Sequence, residues 1–458
     1  MSEASAGAFL EDEYQTEPVP EAASIPWLRI AFLNAIFSIS LPTFLGGLEL
    51  SAAAPAWTFV WGVIAGGVVL TIMAAFMGVI GTQTRLSSYM LARFAFGKQA
   101  SQLLNLAFAV SLLGWFGVNI ELFADSMVLL GEQSGLNVPV IALEVLGGAM
   151  MTALTYLGLR RINLLSLIVT PVLAVVTVLM LVLVLNAGSF ADLMAKGPTT
   201  GLSFGDVLSA TVGAVAVGAV IMPDTCRFVK GWAGGVGVAI VTYLISAPIV
   251  TLVAGLAGLA SGQGDILPLM LALGLGLGAF AIVFGGSTTL NALNLYSATL
   301  SMGTVMPGVP RNVVVLVGGI GGTIFAFLNI LESFIPFLIY LTVIFIPVGA
   351  IIVADYFLVP SSSYEFTTFD DVDPIRWPAL AAWGLGSAVA FASMNEIITL
   401  TGTVAFDAIV VSFAAHLALS HLANRKAVAA HIDPDPQAAR TPMRCCWMAS
   451  ALSPRARS

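Results

Sequence analysis

Phe37-Ser38-Ile39-Ser40-Leu41-Pro42-Thr43-Phe44-Leu45-Gly46-Gly47 sets a proline and a glycine pair inside a stretch that is otherwise apolar from about residue 28 to 48. A proline in a helix interior removes a backbone donor, and its ring collides with the carbonyl four residues back, so the helix breaks or kinks there. The groups freed by a break have no water to bond in hydrocarbon. Such an interruption survives only where it faces protein or a water-filled cavity. A second interruption of the same kind stands at Gly213, Gly218 and Pro223, inside the apolar stretch 206–228.

Around these two breaks the whole chain is apolar. Of 458 residues, 58% are hydrophobic and 9% charged, against roughly 25% charged in soluble domains, and the mean hydropathy is +0.98. Crossing a hydrocarbon core takes roughly 20 helical residues, and about twelve stretches qualify. They are numbered spans 1 to 12: 28–48, 57–81, 102–130, 137–158, 163–187, 206–228, 234–260, 268–298, 312–329, 331–358, 377–395 and 401–423. A membrane β-barrel would show short alternating segments instead, so the expected fold class is an all-α membrane protein. Spans 1 and 6 head two units of five, and matching breaks in two halves point to the central site of an inverted-repeat transporter. The alternative is plain kinking, since Gly and Pro are commoner in membrane helices.

Charge orients the chain. Arg85, Arg93 and Lys98, then Arg160 and Arg161, Arg227 and Lys230, Arg311, Arg376, and Arg425 with Lys426 all fall in loops on one side, and only Lys196 falls on the other. The positive-inside rule then places both termini in the cytoplasm, and a bacterial inner membrane is expected. The first residues carry Glu3, Glu11, Asp12, Glu13, Glu17 and Glu21 without a Lys or Arg, unlike a secretory signal. Disordered cytoplasmic tails are expected over 1–26 and 425–458, with a transporter domain over 27–424. The cysteines Cys226, Cys445 and Cys446 make neither a disulfide framework nor a metal cluster. The net charge of −8 shows no basic nucleic-acid footprint. No obligate protein partner is evident, and the bilayer is the expected surrounding.

Span 8 carries Gly285-Gly286-Ser287-Thr288-Thr289-Leu290-Asn291-Ala292-Leu293-Asn294. Thr288 and Thr289 offer hard oxygen ligands which, with carbonyls of the unwound part of span 1 near Phe37 and Ser40, can hold sodium without a buried carboxylate. Asn291 and Asn294 are three apart and share a helix face, presenting donor and acceptor to a heterocycle edge. The same residue types also simply bond neighbouring helices. In span 3, Trp115 and Asn119 are four apart, giving a flat aromatic face beside an amide. Acids at membrane depth are expensive and point to function. Asp224 and Asp355 stand near span ends, where local pairing is expected. Glu121 and Asp125 are the candidates for proton coupling.

These residues resemble the nucleobase:cation symporter-1 family, above all its bacterial cytosine permease branch. The matching stretches are Gly78-Val79-Ile80-Gly81-Thr82-Gln83-Thr84 running into Leu91-Ala92-Arg93-Phe94-Ala95-Phe96-Gly97, then Gly114-Trp115-Phe116-Gly117, Asp224 with Arg227-Phe228, and Ile346-Pro347-Val348-Gly349-Ala350-Ile351-Ile352-Val353-Ala354-Asp355-Tyr356. The resemblance implies a five-plus-five core of the leucine-transporter type with two further helices. It also implies alternating-access import of nucleobases or related rings, driven by sodium or protons and using no other cofactor. By the same resemblance Thr288 and Thr289 are sodium ligands with the carbonyls of Phe37 and Ser40, Trp115 stacks on the ring, and Asn119 and Asn294 contact its edge. Cytosine permeases place serines where this chain has Ala214 and Val217, beside Gly213 and Gly218. The resemblance therefore points to the class rather than to cytosine, and hydroxymethylpyrimidine, allantoin or hydantoin stay open. An intramembrane enzyme would need a nucleophile with a base, or metal ligands, in the core, yet His416, His421 and His431 all lie near the C-terminus. A channel is the remaining class, but breaks meeting at mid-membrane suit an occluded site better than a continuous pore.

Overall fold

The computed structural model describes residues 17–432 except 134, 158, 188, 307 and 360–363. Residues 1–16 and 433–458 of the expected tails lie outside the described residues, as does the side chain of Phe37. Each expected span is helical. Span 2 is Ala56–Thr84, span 3 Ala100–Gln133, span 4 Val140–Tyr156, span 5 Leu159–Asn186, span 8 Leu277–Val305 and span 9 Arg311–Ala326. Span 10 is Phe334–Leu358, span 11 Trp377–Met394 and span 12 Val404–Ile432, which runs past the expected boundary at 424.

Four spans are interrupted, span 8 among them, its expected stretch beginning in a short helix Ile266–Ala272 before the long helix starts at Leu277. Span 1 divides into Trp27–Ser38 and Leu41–Ala53, with Ser40 extended at φ −140° and ψ 158° between them. Pro42 sits in the first turn of the second piece, where its missing N–H costs nothing. The bond it omits is the one that would have joined this piece to Ser38. Span 6 divides into Phe204–Ala214, Ala216–Val220 and Pro223–Cys226, with Val215 out of helical geometry at φ −132° and ψ 19°. Span 7 runs Trp232–Ala239, then a π-helical turn Ile240–Ser246, then Ala247–Ser261.

The packing repeats itself. The second half of span 1 lies on span 7 and the first half of span 6 lies on span 2; span 3 meets span 9 and span 8 meets span 4; span 5 meets span 7 and span 10 meets span 2. Spans 3 and 8 pack together, as do 4 and 9. Exchanging spans 1–5 with spans 6–10 leaves this pattern unchanged, which is the five-plus-five repeat expected. Spans 11 and 12 pack on each other and on span 10. Close approach needs small residues. A Cβ on Gly47 would stand 2.3 Å from the Thr251 carbonyl oxygen, and one on Gly255 would stand 2.5 Å from that of Gly47. Span 5 leaves Ile168, Val175, Val178 and Leu185 exposed, an apolar flank suited to lipid and not to water.

The acids near the span ends are held structurally. Asp206 and Ser203 form a reciprocal cap on span 6, and Asp407 accepts from the Leu400 and Thr401 N–H groups at 3.2 and 2.8 Å. Asp355, wholly buried, receives both Arg376 nitrogens at 2.9 and 3.1 Å, His416 Nε2 at 2.9 Å and the Tyr364 hydroxyl at 2.8 Å. This network joins spans 10 and 12 to the loop before span 11. The expected N-terminal tail is tied down from residue 17 on. The Arg85 side chain donates to the carbonyls of Val19 and Pro20 and to Ser24 Oγ, and the Ile25 N–H bonds the Phe228 carbonyl at 2.7 Å.

Removing one partner of a buried charge pair costs roughly 3–5 kcal/mol, because the other charge is left uncompensated. Arg376→Ala should accordingly melt well below wild type in detergent. An unchanged melting temperature would show that the network carries no stability.

Candidate functional site

Between the two breaks lies a cavity of about 1050 Å³. Its wall includes Ser38 and Ser40 from span 1, Gly213, Ala214, Val217 and Gly218 from span 6, Trp115 from span 3 and Asn294 from span 8. Of these eight residues, seven, all but Ser38, are ones that the sequence singles out by break or by chemistry. From there the cavity runs to the end of the bundle that carries Arg93, Lys98, Arg227 and Arg311. At the other end the first half of span 6 is sealed. A Cβ on Gly213 would stand 1.7 Å from the Leu338 carbonyl oxygen. The Thr342 hydroxyl donates to the Ser209 carbonyl at 2.7 Å, and the Ala405 N–H donates to Ser209 Oγ at 3.2 Å.

Trp115 is braced edge-to-face by Phe334 and Phe337, with ring centroids 5.9 and 5.3 Å away. The half-buried indole is held in this orientation on the cavity wall. Asn119 and Asn291 do not reach the wall. Asn119 is wholly buried and its amide nitrogen donates to the Trp115 carbonyl at 2.8 Å. Asn291 is equally buried and donates to the Phe116 carbonyl at 2.8 Å and to Met151 Sδ at 3.0 Å, clamping span 8 to spans 3 and 4. Of the two asparagines in span 8, Asn294 alone faces the cavity.

The hydroxyl cluster of span 8 lies against the break in span 1. A Cβ on Gly286 would stand 2.7 Å from Leu41 Cδ1, so span 8 touches the very start of the second piece of span 1. Thr289 donates to its own helix at Gly285, 2.7 Å. Thr288 Oγ1 and Ser287 Oγ are buried with no partner among the described residues. Buried polar atoms are normally satisfied, so a bare hydroxyl oxygen of this kind suits a small cation. The Ser40 carbonyl, expected as a sodium ligand, already accepts from the N–H groups of Thr43 and Phe44, which occupies its two lone pairs.

The carboxylates expected to carry protons lie elsewhere. Glu121 accepts from the N–H groups of Ile330 and Leu331 at 3.0 and 2.8 Å, capping the short turn before span 10. Asp125 is exposed, and neither acid lines the cavity. Asp224 does line it and accepts from the Ser88 N–H at 2.7 Å. Asn34 donates to Thr225 Oγ1 at 3.3 Å, tying the inner pieces of spans 1 and 6 together. Sequence reasoning passed over Thr211 and Tyr243, which also line the cavity. Their signal was weak: each is a single hydroxyl set in apolar helix.

Residues 26–415 match the family described as permeases for cytosine and purines, uracil, thiamine and allantoin. The chain belongs to this permease family. Among its relatives, the cytosine permease of Escherichia coli O157:H7 is 29% identical over 424 residues, covering 92% of this chain and 97% of the relative. Mhp1 in its inward facing conformation superposes with a TM-score of 0.73 at 19% identity, covering 89% of this chain and 93% of that one. Mhp1 in a closed conformation with bromovinylhydantoin bound, a nucleobase-cation-symport-1 family transporter, gives 0.68 at 19% identity, over 92% and 96% of the two chains. The permease family match and the shared fold make this chain a multi-pass membrane transporter of the leucine-transporter type.

The cap made by Glu121 has a checkable cost. Glu121→Gln loses one of two acceptor oxygens for buried N–H groups and should destabilise the permease by about 1–3 kcal/mol, read as a lower melting temperature. A melt equal to wild type would show that the cap contributes nothing.

Proposed function

We propose that this permease imports a nucleobase or a closely related small nitrogen ring, coupled to sodium, by alternating access across a bacterial inner membrane. The observation that carries this reading is the single cavity that joins both helix breaks to the braced face of Trp115 and the amide of Asn294. A flat polar ring needs one stacking plane and a few hydrogen-bonding groups at its edge. Base stacking on an aromatic side chain is worth roughly 1–3 kcal/mol. Relatives named as cytosine permeases and a neighbour with a hydantoin bound support the same substrate class.

The basic end of the cavity is the cytoplasmic one by the positive-inside rule, with both termini on that side. The form described here is then open to the inside, and the sealed contact of span 6 with spans 10 and 12 is the closed outer path. Sodium is favoured over protons by the bare buried hydroxyl of Thr288 in span 8, while Glu121 is engaged in a backbone cap. Ring and ion would order the same unwound segment of span 1, so each should tighten the other reciprocally.

Uptake of labelled cytosine, uracil, adenine, guanine, hypoxanthine, allantoin, hydantoin and hydroxymethylpyrimidine, with and without sodium at fixed pH, tests this directly. Uptake of at least one ring, stimulated by sodium, is expected; no uptake of any would sink the reading. Trp115→Ala should weaken binding of the accepted ring about tenfold or more, and a normally inserted variant with wild-type affinity would remove the stacking role. Thr288→Ala should abolish the dependence of ring affinity on sodium while leaving the sodium-free affinity near wild type. Equal wild-type affinities in the presence and absence of sodium would favour a proton as the coupling ion.

A further inference from the structure

Span 7 is interrupted as well, at Pro248, and the interruption serves the cavity. Pro248 has no N–H, and its ring blocks the carbonyl of Leu244 four residues back. The chain responds with a π-turn over Ile240–Ser246, in which the Ala247 N–H bonds the Thr242 carbonyl. Such single turns recur at functional sites because they re-aim side chains that a regular helix would hold elsewhere. Span 2 packs directly on this turn: a Cβ on Gly67 would stand 2.8 Å from the Tyr243 carbonyl oxygen and 2.7 Å from Pro248 Cγ. The turn is therefore fixed in place, and both Thr242 and Tyr243 line the cavity.

Tyr243 is 5% exposed, and its hydroxyl lies 2.9 Å from where a Cβ on residue 218 would be. That residue is Gly218, in the broken part of span 6. With no side chain at 218, the tyrosine hydroxyl stands in the gap, on the wall of the cavity. Thr211, one turn before the break, is 9% exposed. Its Cβ and Cγ2 would both be 2.8 Å from a Cβ on Gly66 of span 2, so its methyl side is packed against that helix. Its hydroxyl oxygen is buried without a partner among the described residues, although it belongs to a residue of the cavity wall. A hydroxyl stranded in this way costs folding free energy unless a ligand completes the bond. The neighbouring wall positions, Ala214 and Val217, offer no hydroxyl at all.

We infer that Tyr243 and Thr211 are specificity-determining residues, supplying from behind span 6 and from its first half the hydroxyls that read the polar edge of the ring. The inference rests on the reading of this cavity as a ring-binding site. A hydroxyl both donates and accepts, so this pair meets a lactam edge (C=O beside N–H) and an amidine edge (ring nitrogen beside an amino group) alike. It rejects rings that present only C–H on that side, since the two hydroxyls would then stay unpaired. The contact from span 7 also makes Gly218 more than a hinge: a methyl group there would push the tyrosine hydroxyl away.

The test is equilibrium binding of cytosine, uracil, hypoxanthine and hydantoin to the purified full chain in detergent, with melting temperature as the control for folding. Tyr243→Phe and Thr211→Val, which keep shape and lose only hydrogen bonding, should each weaken the best-bound ring roughly fivefold to tenfold. Thr211→Ser should retain wild-type affinity. Gly218→Ala should match the loss in Tyr243→Phe, and the double variant should be no worse than either, because both changes remove one contact. Wild-type affinity in Tyr243→Phe and Thr211→Val, for a ring the wild type binds, overturns the inference alone. A wild type that binds neither these four rings nor any other of the uptake panel overturns the ring-binding reading and this inference with it. Each conservative variant decides separately, so misfolding of one leaves the other to settle the matter.

Discussion

Every backbone N–H and C=O inside hydrocarbon must find a partner within the protein, and the architecture follows from how spans 1 and 6 meet that demand. Each gives up helical bonds at mid-span, Ser40 by turning extended and Val215 by leaving helical geometry. Neither break can face lipid, so both must turn inward towards one another. The intact helices of spans 3, 4, 8 and 9 then form a frame around them, held by Asn291 across spans 3, 4 and 8. The cavity is the space left where the broken pair does not fill that frame.

The residues divide accordingly. Trp115, Asn294 and Thr288 belong to the frame, whereas Ser40, Gly213, Ala214 and Gly218 belong to the broken pair. A ligand that touches Trp115 and the breaks at once bridges the two parts. The bond from Asn34 to Thr225 links the inner pieces of spans 1 and 6, so those pieces are positioned to move as a unit against the frame.

Much of this was legible in the sequence where a residue violates the rules of its surroundings. Pro42 and Gly213 in apolar helix, and Trp115 far from either membrane surface, each announce a reason for being there. The acids were only partly legible, for a physical reason: what a carboxylate bonds depends on a partner that spacing alone does not reveal. Glu121 bonds the backbone at residues 330 and 331, 209 and 210 positions away, and Asp355 finds His416 across 61 positions. Asn291 and Asn294 look alike in the sequence, yet one is consumed by helix packing and the other faces the cavity. Tyr243 was hidden for a different reason, because the π-turn that aims it arises from Pro248 and the close passage of Gly67 together.

The contact between Gly213 and the carbonyl of Leu338 bears on how such a chain can diversify. With a would-be Cβ only 1.7 Å from that oxygen, no side chain of any kind fits at 213 unless the backbone of span 10 shifts as well. Drift at this position is closed to single substitutions. Ala214 and Val217 follow it with side chains of their own on the cavity wall, so a change of ligand preference can enter there while residue 213 stays glycine.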